Sequence, residues 1–361
     1  MRLHIVGGFL GSGKTTAIIG AAKTLMARGK RVGVVTNDQG RYLVDTAFFQ
    51  SSLVPAVEVT GGCFCCNYDD LDAQLAQLKA TAHPDVIFAE SVGSCADIVA
   101  TVVKPLLTLG ADASMGPTSF SVFADARLLR RRLLDLPMPF SDNVVYLFDK
   151  QIEEAGLLIV NKRDLLAVED AHALQALTAS RFPDKPVRLQ NSLEATEIEG
   201  WLSDLASGLA TPPAAVLDID YDRYGAGEAM LAWVDETLHF SVPSGKGRGV
   251  VLRLMQAILD RIERSRLTIG HLKFMVTAGP VNAKVSFLTV GGLGWESQIP
   301  TLPGSQVTLL LNARVEAAAS DLRDLVAEAV EAAVTDTNVT YEMANVSFFH
   351  PGFPNPTHRI Q

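Results

Sequence analysis

The stretch "TGGCFCCNYDD", Thr60 to Asp70, places Cys63, Cys65 and Cys66 within four positions of a 361-residue chain that holds only four cysteines. Three thiols in C-x-C-C do not form an even disulfide set, and no second cysteine pair completes a four-cysteine zinc site. A closed structural site is therefore not expected. Thiolates favour soft or borderline metals, and three of them on one glycine-led loop leave a position for water, for a carboxylate such as Asp38, or for Cys95. Because coordination needs deprotonated ligands at fixed spacing, any movement that separates them releases the ion. The competing readings are a thiol–disulfide sensor and small buried core cysteines. Cys95, in "ESVGSCAD", reads equally well as a buried cysteine at a helix start, and the seven histidines form no metal-binding spacing.

A second chemistry is written in "GGFLGSGKT", which matches G-x-x-x-x-G-K-[ST] at Gly8, Gly13, Lys14 and Thr15 between an expected strand and an expected helix. Glycines let backbone N–H groups turn toward phosphates, Lys14 neutralises β/γ charge, and the helix N-terminus adds its dipole. The Thr15 hydroxyl suits Mg²⁺. In "LLIVNKRDLL", Asn161, Lys162 and Asp164 follow an apolar strand. This N-K-x-D pattern resembles the guanine-specificity motif of GTPases: a carboxylate there accepts from the guanine N1 and N2 donors, which adenine lacks. GTP is the expected nucleotide. "DVIFAESVG" ends a strand in Glu90, where a carboxylate can hold an Mg²⁺-bound water and Gly93 can offer an N–H to the γ-phosphate. The plain alternative for Glu90, and for Asp38 in "VVTNDQG", is a first polar residue after a buried strand.

These motifs need a scaffold that brings strand ends together. "LHIVGGF", "RVGVVTN", "DVIFAES", "SFSVFADA" and "AGLLIVNK" alternate with helical patterns over Lys14 to Arg28, around Asp70 to Ala82, after Asp125 and from about Glu169. Strands alternating with helices predict an α/β fold, a doubly wound and mostly parallel sheet with ligands at the carboxyl ends of its strands. The alternation stops near "LATPPAAVLDIDYD", which reads as a linker. The expected division is a P-loop domain over 1–211, a linker over 212–224 and a smaller α+β domain over 225–361 that binds a partner or client. For the latter we expect a helix over Gly227 to Thr237 and a strand "LHFSV", then a helix from Val250 to Arg264. Strands "LKFMVT", "AKVSFLTV" and "QVTLLLNARV" follow, then a helix from about Glu316 to Val334 and a last strand "VTYEMANVSFF". This is the order of a split βαβ core.

Composition excludes several classes. With 48% hydrophobic and 20% charged residues the chain is not disordered, and 31 basic against 40 acidic residues, a net charge of −9, argue against nucleic acid or an anionic membrane as the main partner. The N-terminus has no apolar region of signal-peptide length, and runs such as "GLLIV" fall far short of the roughly 20 residues of a spanning helix. A cytoplasmic location with reduced thiols is expected. "RLLRRR", Arg127 to Arg132, reads as a solvated helix face or an acidic partner's dock, and "SGKGRG", Ser244 to Gly249, as a solvated turn or an anion site through Lys246 and Arg248. His350 and His358, in the proline-rich "FFHPGFPNPTHRIQ", read as surface residues.

Taken together, "GGFLGSGKTT", "GGCFCC", "ESVG" and "QIEEAGLLIVNKRDLL" resemble the CobW-like family of metal-chaperone GTPases, relatives of the nickel-insertion GTPases of urease and hydrogenase. The resemblance covers about the first 200 residues. It implies a P-loop NTPase fold and GTP hydrolysis coupled to metal delivery, with Gly8, Gly11, Ser12, Gly13, Lys14, Thr15 and Thr16 on phosphates and Mg²⁺. It also implies Cys63, Cys65 and Cys66 on the transferred metal, Lys14, Thr15 and Glu90 in hydrolysis and switching, and Asn161, Lys162 and Asp164 on guanine. The implied cofactors are GTP, Mg²⁺ and a transition metal, with zinc placed before cobalt and iron. The implied partners are a client metalloenzyme or its assembly protein and a nucleotide-dependent homodimer. The family's Asn-Glu-Phe-Gly-Glu switch stands here as "NDQGR", so Arg41 replaces a carboxylate expected near the metal, and no histidine-rich stretch is present. The competing functions are a nucleotide-switched protein that remodels a partner around a permanent structural metal, and an ATP-dependent kinase or ligase, which Asp164 disfavours.

Overall fold

Seven strands form one parallel sheet, the inner five largely buried on both faces and the edge strands β3 and β7 half-buried: β1 (Arg2–Gly8), β2 (Val32–Asn37), β3 (Ala56–Val59), β4 (Val86–Glu90), β5 (Thr118–Asp125), β6 (Leu157–Asn161) and β7 (Val187–Gln190). Their order is β3-β2-β4-β1-β5-β6-β7. The computed structural model describes residues 1–37, 39–40, 44–59, 61–109, 116–289, 294–335 and 337–361, so Asp38 and Arg41 lie outside the described residues. The chain divides into two compact units, Met1–Gln39 with Ser52–Gly227 and Pro354–Gln361, and Gly40–Ser51 with Glu228–Phe353. The units are discontinuous in sequence, unlike the contiguous division expected from the linker at Pro212 and Pro213.

Helices α1 (Lys14–Ala27), α3 (Tyr68–Ala82), α4 (Lys104–Thr108), α5 (Ala126–Leu133), α6 (Asp142–Glu153), α7 (Val168–Arg181) and α8 (Ala195–Ser207) belong to the first unit, while α2 (Val44–Ser51) belongs to the second. A π-helical stretch, Val99–Val103, leads into α4. The helix expected after Asp125 is α5, and Asp125 caps it by accepting from the Arg127 N–H. Trp201 of α8 is fully buried, packs edge-on to Phe123 at 5.1 Å, and donates to the Ser121 hydroxyl at 3.1 Å. Register sets the site. Val6 of β1 and Thr36 of β2 both pair with Glu90 of β4, so three neighbouring strands end within a residue or two of one another.

The second unit holds β8 (Leu231–Ser241), β9 (Thr268–Ala278), β10 (Val281–Phe287), β11 (Gln306–Glu316) and β12 (Thr340–Phe349), ordered β10-β9-β11-β8-β12 with antiparallel neighbours. Helix α10 (Gly247–Arg264) links β8 to β9 with β11 between them, the split βαβ arrangement, and α11 (Ala319–Val334) links β11 to β12. Val251, Leu254, Ile258 and Ile262 of α10 enter the core with Leu322, Val326 and Val330 of α11. The helix expected over Gly227 to Thr237 is absent. Instead α9 (Tyr221–Ala229) ends and β8 begins, because Ala232, Val234, Leu238 and Phe240 recur at even spacing and bury one face of a strand.

Helix α2 is held by the second unit. Its Asp45 pairs with Lys273 and Lys284, the latter at 2.9 Å, and its first N–H, on Val44, donates to the Asn312 side chain at 2.7 Å. Burial alone raises the Asp45 pKa, but the two ammonium groups outweigh it and hold the carboxyl well below the usual range. Among the described residues, no helix is long and apolar enough to cross a membrane.

Candidate functional site

The glycine loop between β1 and α1 takes the conformation its glycines permit. Gly8, Gly11 and Gly13 have φ of 125°, 68° and 94°. A Cβ on Gly8 would lie 2.1 Å from the Phe123 carbonyl oxygen, and one on Gly13 would lie 2.4 Å from the Asn161 amide nitrogen. Lys14 folds over the loop, donating to the Gly8 and Phe9 carbonyls at 2.7 and 3.3 Å. The Thr15 hydroxyl donates to Glu90 at 2.9 Å, so two oxygen ligands suited to Mg²⁺ meet at the end of β4. Gly93 packs against the loop, since a Cβ there would lie 2.7 Å from the Leu10 side chain.

Asn161 and Lys162 lock this loop from the end of β6. Asn161 donates to the Ser12 carbonyl at 2.7 Å and accepts from the Ser192 N–H and hydroxyl at 3.1 and 2.8 Å. Lys162, in the left-handed region at φ 63°, donates to the Gly11 carbonyl at 2.6 Å and lies 3.3 Å from the buried Asp125 carboxylate. Burial pulls the Lys162 pKa down, against the pull of Asp125. Asp164 is exposed one residue beyond Arg163, in the short 3₁₀ turn that follows. The motif thus braces the glycine loop and leaves Asp164 exposed.

The cysteine loop lies between β3 and α3. The sulfurs of Cys63, Cys65 and Cys66 all lie within 4.8 Å of one another, the first two buried and the third half-buried. Two of the three are close enough to pair: Cys63 and Cys65 form a disulfide with Cα atoms 5.3 Å apart, and Cys66 lies outside that bond with its sulfur 3.8 Å from the Cys65 sulfur. Thiolate ligation and this disulfide exclude each other, so metal binding requires the reduced pair. Cys95 is buried in the segment after β4 and is not part of the three-sulfur cluster.

Asn37, the last residue of β2, fixes that loop. Its amide donates to the Val59 and Gly62 carbonyls at 3.1 and 2.8 Å, and its carbonyl accepts from the Phe64 N–H at 2.7 Å. In the sequence the next residue, Asp38, stands out as the candidate, and Asn37 does not. The signal was an asparagine closing an otherwise apolar strand.

A family model described as "CobW/HypB/UreG, nucleotide-binding domain" matches residues 2–187. The chain belongs to the CobW/HypB/UreG family. Within its reach fall the glycine loop, the cysteine loop, Glu90 and the N-K-x-D motif, as the resemblance implied. The chain is 30% identical over 225 residues to the zinc chaperone YeiR of Escherichia coli K12, covering 59% of this chain and 62% of that one. It is 27% identical over 206 residues to a zinc chaperone CobW of Sinorhizobium, covering 52% and 57%. The chain thus spans less than two thirds of the length of these relatives. A solved HypB from Helicobacter pylori, in complex with nickel, is 17% identical over 60% of this chain and 91% of its own, at a TM-score of 0.42, a likeness too distant to carry an argument.

The arginines of two basic segments are engaged by the chain itself. Arg127 pairs with Asp125, Arg130 with Asp170, Arg132 with Asp149, and Arg131 donates to the Pro137 carbonyl. Arg248 donates to the Glu296 and Ile299 carbonyls, both at 2.7 Å. His358 is half-buried, with its ring edge-on to Tyr68 at 5.0 Å, rather than a plain surface residue.

Proposed function

We propose that this protein is a GTP-hydrolysing metallochaperone that carries a transition metal, zinc first and cobalt or iron in its place, on Cys63, Cys65 and Cys66. It would hand the ion to a client metalloenzyme or its assembly protein, with a nucleotide-dependent homodimer as the working form. The observation that carries this reading is the three-sulfur cluster, held by Asn37 on a strand that ends beside the glycine loop and Glu90.

In the hydrolytic half, the glycine loop and the α1 N-terminus hold the phosphates, and Lys14 leaves the Gly8 carbonyl for the β/γ oxygens. Asn161 and Lys162 keep the loop in place, and Asp164 selects guanine. Thr15 and Glu90 offer the oxygen ligands that fit Mg²⁺, which would spread the charge that builds on the γ-phosphoryl group. Water attacks the γ-phosphorus, the bond to the β–γ bridging oxygen breaks, and GDP, phosphate and a proton leave. In the cargo half, three thiolates bind the ion, and any displacement of the loop weakens it.

The test is chelator competition for Zn²⁺ under reducing conditions, on apo, GDP-bound and non-hydrolysable-GTP-bound protein, beside a Cys65→Ser, Cys66→Ser double variant. Coupling of this kind amounts to about 1–3 kcal/mol, roughly a 5- to 150-fold difference in metal affinity between nucleotide states. Equal affinity in every state would replace delivery with a permanent structural metal. A double variant that binds Zn²⁺ like the parent would remove the cysteines from the site.

A further inference from the structure

The segment Pro354–Gln361 follows the second unit in the chain but packs within the first. It lies across the cysteine loop. The Thr357 N–H donates to the Cys65 carbonyl at 2.8 Å, and the Thr357 hydroxyl donates to the Cys66 carbonyl at 3.0 Å. The adjacent His358 ring meets Tyr68, the first residue of α3, edge-on. The other end is anchored seven residues beyond Glu90. There Arg359 donates to Asp97 at 2.7 Å and to the Leu217 carbonyl at 3.0 Å, and the Ile360 N–H donates to the Ala100 carbonyl at 2.9 Å.

Asp97 makes this anchor strong. Its side chain is 1% exposed, its backbone is left-handed at φ 62°, and the same carboxylate oxygen also accepts from the Tyr221 hydroxyl at 2.8 Å. Arg359 is its cationic partner, and a buried carboxylate that loses its cation is costly. Breaking the Arg359 contact therefore weakens one end of the segment, which keeps the Ile360 bond to Ala100, and breaking the Thr357 contacts loosens the other.

We propose that Pro354–Gln361 is a strap that positions the metal site: Thr357 fixes the backbone of Cys65 and Cys66, Arg359 ties the strap to Asp97, and metal is retained while the strap is down. The inference rests on the reading of Cys63, Cys65 and Cys66 as metal ligands. Thr357 and Arg359 are positioning residues, since neither offers a ligand atom to the cluster. Groups that hydrogen-bond to ligating residues and fix their orientation typically change metal affinity by about 10- to 100-fold when removed. The strap also joins the cysteine loop to the segment that follows Glu90, so it gives nucleotide-dependent movement of that segment a direct route to two of the ligands.

The experiment uses the full chain, reduced, with Zn²⁺ for affinity and release rate to a chromophoric chelator, and with Co²⁺ for the thiolate-to-metal absorption band. Thr357→Pro removes both donors at one end, and Arg359→Ala removes the anchor at the other. A folding defect in either leaves the second to decide. Each should release Zn²⁺ roughly tenfold faster than the parent, the lower end of the outer-shell range, while the Co²⁺ band at saturation keeps its intensity because the sulfur ligands remain. Arg359→Lys, which restores the charge, should recover most of the retention. If both strap variants hold Zn²⁺ like the parent while the Cys65→Ser, Cys66→Ser variant loses it, the strap proposal is wrong and the cysteine reading stands. If the cysteine variant also holds Zn²⁺ like the parent, both fall.

Discussion

Asn37 is the residue through which the sheet dictates the shape of the cysteine loop, and its removal has a size that the hydrogen bonds set. The side chain is 7% exposed and makes three bonds to the loop, two donated to Val59 and Gly62 and one accepted from Phe64. A neutral hydrogen bond contributes about 1 kcal/mol net, so Asn37→Ala loses roughly 3 kcal/mol of loop stabilisation. If all of that appears as local opening, Zn²⁺ affinity falls by up to about 100-fold, at about 1.4 kcal/mol per tenfold. Asn37→Asp is the sharper probe. It keeps the acceptor for Phe64 but turns an oxygen toward two carbonyl oxygens, so we expect a loss larger than that of the alanine variant. Chelator competition reads the affinity, and amide hydrogen exchange at Phe64 reads the loop itself. An alanine variant with parental Zn²⁺ affinity and unchanged exchange at Phe64 would refute the claim that this side chain holds the site.

Three further outcomes follow from other contacts. Lys14→Ala should abolish GTP hydrolysis with the fold retained by circular dichroism, because the ammonium group rests on loop carbonyls and not in the core; normal turnover would remove the phosphate-loop assignment. Asp164→Ala should erase the preference for GTP over ATP in competitive binding, and an unchanged preference would refute its role in reading guanine. Glu236, buried in β8, has its pKa pushed up to about 7 by desolvation, so the native state holds its proton where the unfolded state has lost it. Stability should therefore fall as pH rises from about 4.5 to about 7 and level off above, by at most roughly 3 kcal/mol at about 1.4 kcal/mol per pH unit; Glu236→Gln should flatten that slope in urea unfolding at several pH values, and an unaltered slope would assign it to other groups.

The elements that sequence revealed are those whose meaning is local. A glycine that must adopt positive φ before a lysine and a threonine, or three thiols within four positions, states its chemistry without its neighbours. Continuous apolar runs that alternate with helical periods place those motifs at the ends of parallel strands. The failures have a common physical cause, which is contact at long range. Asn37 looks like any polar residue that closes a strand until Val59, Gly62 and Phe64 are seen around it. Thr357 reaches Cys66 across 291 positions, and no period or spacing encodes that. Arg130 and Arg132 read as free charge because their partners Asp170 and Asp149 lie 40 and 17 positions away. The helix expected over Gly227 to Thr237 failed for another reason: a short Gly/Ala-rich window hid a strand pattern that the sheet then selected.

Strand order gives the proposed link between nucleotide and metal a physical path. β4 lies between β1 and β2, so Glu90 stands between the strand that feeds the phosphate loop and the strand whose last residue holds the cysteine loop. Neighbouring strands are about 4.8 Å apart, so the two loops start only about two strand spacings from each other. Glu90 already takes the Thr15 hydroxyl, and the chain that leaves it passes Gly93, packed against Leu10, before it reaches Asp97 and the strap. Two chains of contacts therefore run from the phosphate loop to the cysteine loop, one through the β2–β4 pairing to Asn37 and one through Asp97, Arg359 and Thr357, and the proposed coupling would use them. The two routes converge on different atoms of one loop: Asn37 holds the backbone ahead of the cysteines and at Phe64, and Thr357 holds it at Cys65 and Cys66. A loop clamped from both sides responds to either clamp. On the proposed function, a nucleotide that loosens either clamp changes the spacing of the three sulfurs.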